Sequence, residues 1–256
     1  MAWQYLKFRW LVSVLTIAGI SIGVALVCSV LALRHESEKA LSRDAGLYDL
    51  VAGGKGSPLQ LVLSSVYHLD SPTGNIPYKV YERLRRDPRV LWAAPIGLGD
   101  NYSGYRIIGT ENHFFDLPKR NGDLFFQFSK GKIFEDRFEV VLGSQVAASS
   151  KLKIGDTFFG THGLAEVAGA EVHRDFPYRV SGILAPTGTA QDRAIFGTLH
   201  SVWEIHETED LLHSAIQGSA IMADKKTRET TAILIRLKTP GLRLWMAEEI
   251  REDTDG

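Results

Sequence analysis

The sequence predicts an α+β protein in which one membrane helix precedes a large water-facing domain. The first observation behind this prediction is an uncharged apolar run from Leu11 to Leu33, LVSVLTIAGISIGVALVCSVLAL. The second is the mixture of helical and strand patterns in the rest of the 256-residue chain. The third is that no later apolar run has membrane-spanning length, so a single crossing is predicted.

The apolar run has the length of an uncleaved membrane helix. Its 23 residues would extend about 35 Å as an α-helix, and a hydrocarbon core is roughly 30 Å thick. A signal-peptide core is usually about 7–15 residues long and ends at a small-residue cleavage site. This run instead continues into Arg34 without an Ala-x-Ala sequence. The sequence therefore favours a membrane anchor over a cleaved signal peptide.

The charges around the run predict its orientation and exclude some partners. Lys7 and Arg9 are the only charged residues before Arg34, so the positive-inside rule predicts a cytoplasmic N-terminus and an exported domain. The 27 basic and 30 acidic residues beyond them form no basic footprint for nucleic acid. The single cysteine, Cys28, lies in the apolar run, so no internal disulfide is possible.

The membrane helix is predicted to extend beyond the bilayer as a stalk over residues 34–44 and to end near Gly46. The N-terminus, the membrane run and the stalk together form a first region, residues 1–46. Within the membrane run, Gly19 and Gly23 form a Gly-x-x-x-Gly pattern. Small residues four positions apart let a second helix approach closely. Gly19 and Gly23 are therefore predicted to pack against a partner helix.

The elements after Gly46 begin as α/β, become strand-rich and then return to α/β. The first part has strands at 48–52, 90–94 and 105–108, with helices at 58–69 and from Pro77 to Asp87. The middle has strands at 140–142, 157–159, 166–170 and 178–183 around a short helix at 144–150. The last part has helices at 199–206 and 210–216, a strand at 232–237 and a helix at 241–251.

No nucleotide-binding or nucleophilic motif is complete. A phosphate-binding loop needs a Gly five residues before its Gly-Lys pair and Ser or Thr after the Lys. Asp49 and Gly56 occupy these places around the GGKGS turn. Ser144 lacks the second glycine of a nucleophile elbow, so we interpret it as a helix N-cap. We predict no enzymatic activity and no cofactor.

The histidines give a weak metal-site hypothesis. His206 and His213 are seven residues apart, so on one helix they would share a face, which His200 could join. No His-Glu-x-x-His motif and no short Cys/His cluster is present in the sequence. Scattered surface or capping histidines are the favoured interpretation, and these three remain the candidate ligands.

Several stretches together resemble one family. They are YDLVAGGKGSPLQLVLSSVYHLD at 48–70, GNIPY at 74–78, VVLGSQVAASSKLKIGDTFFG at 140–160 and YRVSGILAPTGTAQDRAIFGTLHSVWEIHE at 178–207. In this order they resemble permease subunits of ABC transporters of the MacB/FtsX type, which include macrolide exporters and lipoprotein-release permeases.

The resemblance implies an architecture and a mechanism. It implies an α/β porter-like lobe at 47–112 plus 198–251 and an inserted β-rich lobe at 113–197. It further implies a homodimer in the bacterial inner membrane, a cytoplasmic ABC ATPase subunit as partner and a periplasmic or lipoprotein partner. ATP hydrolysis by the partner would move the periplasmic domain and drive export or extraction of a substrate.

The chain departs from this family in one respect. The three later membrane helices and the ATPase-docking loop of such permeases are missing before Gly256. The chain is then expected to be a fragment, a truncated reading frame or a trimmed form. The alternative function is a single-pass, membrane-anchored periplasmic module that binds or senses a ligand or metal.

Overall fold

The first part of the chain is mainly one long helix. A computed structural model describes residues 9–119, 121–161, 172–216 and 228–255, and the chain divides into the units Met1–Arg43 and Asp44–Gly256. Helix α1 covers Trp10–Ala45, about 54 Å at 1.5 Å per residue. Its large apolar side chains are exposed. Among the described residues it is the one helix long and apolar enough to cross a membrane. Helix α1 continues without a break to Ala45, so the predicted helical extension is present, and its position outside a bilayer stays a prediction.

The second unit is built on a mixed sheet. In the described ranges the sheet has nine strands, eight of which follow one path. In spatial order they are β1 (Leu50–Gly53), β11 (Ala232–Leu237), β3 (Val90–Tyr102), β4 (Tyr105–Thr110), β9 (Ala194–Thr198), β6 (Glu139–Leu142), β8 (Val172–Leu184) and β5 (Phe128–Gly131). The β4–β9 and β6–β8 pairs are parallel. The ninth strand, β7 (Thr157–Thr161), pairs with β3 and β8, and β2 (Ile76–Pro77) pairs with β10 (Glu229–Thr230).

Five helices accompany the sheet within the described ranges. They are α2 (Pro58–Ser65), α3 (Tyr78–Arg86), α4 (Ser144–Ser150), α5 (Leu199–Ile216) and α6 (Arg243–Asp255), with 3-10 turns at Asn112–Asp116, Ala190–Arg193 and Pro240–Leu242. Helix α2 begins where the sequence provides a cap, because the Ser57 side chain accepts a hydrogen bond from Gln60 N and Pro58 opens the helix.

Buried apolar side chains of the described residues form three clusters. One contains the phenylalanines at 114, 115, 126, 134 and 196. Strand β11 contributes to two clusters, because Ala232 and Leu234 lie in the phenylalanine cluster whereas Ile233 and Ile235 lie with Met246 of α6. Alternate residues of a strand point to opposite faces, so both faces of β11 are covered. This explains why its sequence, AILIRL, is almost uniformly apolar.

Two predictions about the helices were wrong, namely the N-cap role of Ser144 and the break between residues 199–206 and 210–216. Ser144 is the first residue of α4, and Gly143 is the N-cap with no side-chain hydrogen bond. A Cβ at Gly143 would lie 2.5 Å from the carbonyl oxygens of Gln191 and Asp192, so this position requires glycine. The two helices predicted at 199–206 and 210–216 are the single helix α5.

The fold class is confirmed at the level of a mixed α+β domain preceded by a long apolar helix. The strand predicted at 166–170 lies outside the described residues. Strands from both predicted lobes share one sheet, and the lobe boundaries stay a prediction.

Candidate functional site

The two glycines singled out in α1 are open to a neighbour. A Cβ built at Gly19 or Gly23 would meet nothing within 4 Å. Two hydroxyls of the helix bond to its own backbone, since Thr16 Oγ1 donates to Val12 O and Ser29 Oγ donates to Ala25 O, each at 2.8 Å.

The chain that follows α1 is fixed firmly to the sheet. We call residues 47–49 the entry segment. Leu47 and Tyr48 are buried in the core. Asp49 N donates to Ile235 O at 2.8 Å, and the Asp49 carboxylate accepts from Leu237 N at 3.0 Å. Its other oxygen lies 3.7 Å from Arg243 Nε at the start of α6. Asp49 thus joins the entry segment to both β11 and α6.

The buried side chain of Arg236 also binds the entry segment. Arg236 of β11 donates through one guanidinium nitrogen to Pro118 O at 2.6 Å and to Leu47 O at 3.4 Å. Its side chain is buried, and a buried cation is costly unless such hydrogen bonds compensate it. Sequence reasoning missed this role. The available signal was a single arginine within the apolar strand AILIRL.

Tyr48 connects the entry segment to a set of interacting residues that we call the glutamine bridge, which consists of Tyr48, Val66, His68 and Gln191. Its ring stacks on Trp92 at 5.9 Å between centroids, and its hydroxyl accepts from Gln191 Nε2 at 3.4 Å. Gln191 Nε2 also lies 3.5 Å from Val66 O. His68 Nε2 is 3.1 Å from Gln191 Oε1. Since Oε1 can only accept, His68 Nε2 carries the proton. This glutamine bridge ties the end of α2 and the Ala190–Arg193 turn to the entry segment.

His68 is held neutral by this environment. Burial lowers the pKa of the His68 imidazole to about 4, despite the hydrogen bond to Gln191, which acts to raise it. His68 also has a positive φ of 59°, which is uncommon for a residue other than glycine. Its backbone and its ring are therefore both set by the surrounding fold.

The candidate metal ligands do not form a cluster in the described part of the chain. His206 lies with Trp203 and Arg228 in the wall of a cavity of about 190 Å³ between α5 and the β10 region. His200 lies 5.1 Å from the Trp203 ring, and burial followed by the charge of Arg228 lowers its pKa. His213 is on the same helix, but its side chain lies outside the described residues. No group of three or more potential ligands occurs among the described side chains.

An apolar helix of membrane-spanning length ahead of a mixed α+β domain of periplasmic type indicates a membrane-anchored extracytoplasmic domain. Residues 13–242 match the MacB-like periplasmic core domain, and the chain belongs to this family. The family model describes a periplasmic core domain. The predicted resemblance is confirmed.

Two solved structures are similar to the chain. One is the extracellular domain of the noncanonic ABC-type transporter YknZ from Gram-positive bacteria, with 9% identity, a TM-score of 0.44 and coverage of 80% of this chain and 93% of that one. The other is the periplasmic region of MacB from Actinobacillus actinomycetemcomitans, with 11% identity, a TM-score of 0.43 and coverage of 79% of each chain. No curated protein sequence matches the chain.

Proposed function

We propose that the chain is the N-terminal portion of a permease subunit of an ABC transporter in the bacterial inner membrane. ATP hydrolysis by a cytoplasmic partner subunit moves its periplasmic domain and drives export or extraction of a substrate. The observation that carries this proposal is the family match, which spans both α1 and the domain behind it.

The connection between α1 and the sheet supports mechanical transmission. One residue, Gly46, separates the end of α1 at Ala45 from the buried Leu47. In this proposal, a displacement of the end of α1 reaches the entry segment through this single residue. Asp49 and Arg236 then pass the displacement to β11, which lies beside β1 and β3 in the sheet.

The open glycines in α1 support a homodimer through the membrane. A helix face with small residues contributes to stability only when another helix packs on it. A second copy of α1 satisfies that requirement, with the N-terminus on the cytoplasmic side as the flanking charges predict. The predicted porter-like and β-rich lobes belong to this proposal, the first receiving the motion and the second facing a periplasmic or lipoprotein partner.

Co-purification tests the proposal directly. The full-length permease, of which this chain is the proposed N-terminal portion, is expressed in membranes with the ABC ATPase encoded beside it, cross-linked and solubilised. An ATPase from an unrelated importer is the matched control. We expect retention of the neighbouring ATPase and loss of the control. Retention of neither or of both would contradict the proposed assembly.

A further inference from the structure

A groove lined by lysines lies where β5 and β8 meet α4 and the turn that follows it. Its volume is about 530 Å³. Lys130, Lys151 and Lys153 line it together with the apolar side chains of Leu152, Ile154 and Ile183, and no acidic residue that the structure describes contributes to its wall. We call this the lysine groove.

The backbone holds these lysines in place. Helix α4 ends at Ser150, and the left-handed φ of 61° at the next residue, Lys151, turns the chain sharply. The next turn is closed by Asp156, whose carboxylate accepts from Lys153 N at 2.9 Å. Gly155 N then donates to Val180 O of β8 at 2.8 Å. The turn that carries Lys153 is therefore attached to the sheet and does not hang free.

The lysines of the groove differ from the neighbouring Lys132 in ion pairing. Lys132, just outside it, pairs with Glu135 at 2.6 Å. By contrast, Lys130, Lys151 and Lys153 form no ion pair with any residue that the structure describes. Three like charges in one wall cost repulsion energy, and an anionic ligand would relieve it.

The strand beside the groove favours a protein segment over another anion. In the described sheet, β5 is the last strand and pairs with β8 alone. An edge strand presents unpaired main-chain groups that an extended peptide can bind. Lysine on such an edge disfavours pairing with neutral or basic strands. The segment that fits is therefore both extended and acidic.

We propose that the lysine groove and the edge of β5 together bind an acidic, extended segment of a partner protein. Carboxylates of the segment pair with the three lysines. An apolar side chain between them packs on Leu152, Ile154 and Ile183. This inference does not depend on coupling to an ATPase.

A peptide-binding measurement with the full chain in detergent micelles tests the inference. The probe is a fluorescein-labelled eight-residue peptide that alternates glutamate and valine, and a lysine–valine peptide is its control. The groove variant carries Lys130→Gln, Lys151→Gln and Lys153→Gln. The matched variant removes the same charge elsewhere, with Lys79→Gln, Lys119→Gln and Lys238→Gln. We expect the groove variant to bind the acidic peptide at least tenfold more weakly, and the matched variant to change less than twofold.

Three results would overturn the inference. These are no binding of the acidic peptide by the unmodified chain, an equal loss in both variants, or capture of phosphatidylglycerol vesicles without peptide binding. The single variant Lys130→Gln, at an exposed position, provides a second measurement if the triple variant does not fold. For this variant we expect about a threefold loss.

Discussion

The glycine-containing part of α1 and the entry segment both lie among the first fifty residues but in opposite environments. At Gly19 and Gly23 the helix surface is open, since a Cβ at either position would meet nothing within 4 Å. The entry segment is buried and bonded to β11, α6 and the carbonyl-binding Arg236. The entry segment is therefore stabilised by its own chain, whereas packing of the Gly19 and Gly23 face of α1 against a partner helix stays a prediction. Each prediction below challenges one side of that comparison.

The largest expected effect is the loss of Arg236. Substitution by Met keeps the length but removes the guanidinium that binds Leu47 O and Pro118 O. Leaving one buried and one partly buried carbonyl group without a charged donor should cost about 3 kcal/mol. For a domain of this size, this lowers Tm by roughly 6–12 °C, measured by thermal unfolding followed by circular dichroism.

Arg137→Met is the matched control for Arg236. Arg137 pairs with Glu204 at 2.9 Å, but its side chain is 65% exposed, so the change should stay within about 0.5 kcal/mol. Equal losses of Tm in the two variants would show that burial of Arg236 at the entry segment has no special importance.

The second largest expected effect is a loss of folding stability at acidic pH, which comes from His68 in the glutamine bridge. The pKa of His68 is lowered to about 4 in the folded state from 6.5, so between these values the unfolded state binds more protons. Stability therefore falls as the pH falls from 6.5 toward 4, by about 2 kcal/mol at pH 5. The measurement is the urea midpoint at pH 7.5 and pH 5.0.

The variant His68→Asn isolates this contribution, because asparagine tolerates a positive φ and does not titrate. The difference in stability between pH 7.5 and pH 5.0 should be about 2 kcal/mol smaller in the variant. An unchanged difference would mean that other histidines account for the acid sensitivity.

The sequence predicts the glycine-containing part of α1 better than it predicts the contacts of the entry segment. The length and composition of the apolar run predict α1, and the spacing of Gly19 and Gly23 predicts their packing role, because both signals are local in sequence. Strands such as β11 were also predictable from their apolar runs. The roles of Arg236 and Gln191 were not, since they bind carbonyl and hydroxyl groups more than 100 residues away in sequence. Nothing local in AILIRL or TGTAQD specifies those partners.

Large side chains in place of Gly19 and Gly23 should weaken the association of α1 with a second helix. Gly19→Leu with Gly23→Leu places two large side chains where close approach is needed, and we expect about tenfold weaker self-association in a membrane two-hybrid assay. Ile20→Leu with Val24→Leu, on neighbouring positions of the same helix, is the control. Unchanged association of the glycine variant would remove the case for this face.

Cysteine cross-linking sharpens the same prediction. Leu26 is seven residues from Gly19 and shares its face, whereas the native Cys28 is five residues from Gly23 and about 140° around the helix. Leu26→Cys in a Cys28→Ser background should therefore form a disulfide-linked dimer on oxidation. Efficient linking through Cys28 instead would place the contact on the opposite face.

The smallest expected effect concerns the extension of α1 above the apolar run. Arg34 Nε and Glu38 Oε1 are 2.8 Å apart, but both side chains are more than half exposed, so the pair contributes about 0.3–0.5 kcal/mol. Arg34→Ala should shift Tm by less than about 2 °C. A larger fall, absent from the exposed control Arg251→Ala, would mean that the extension also packs on a partner. The dependence of α1 on a second chain would then reach beyond the glycine face to the end of the helix.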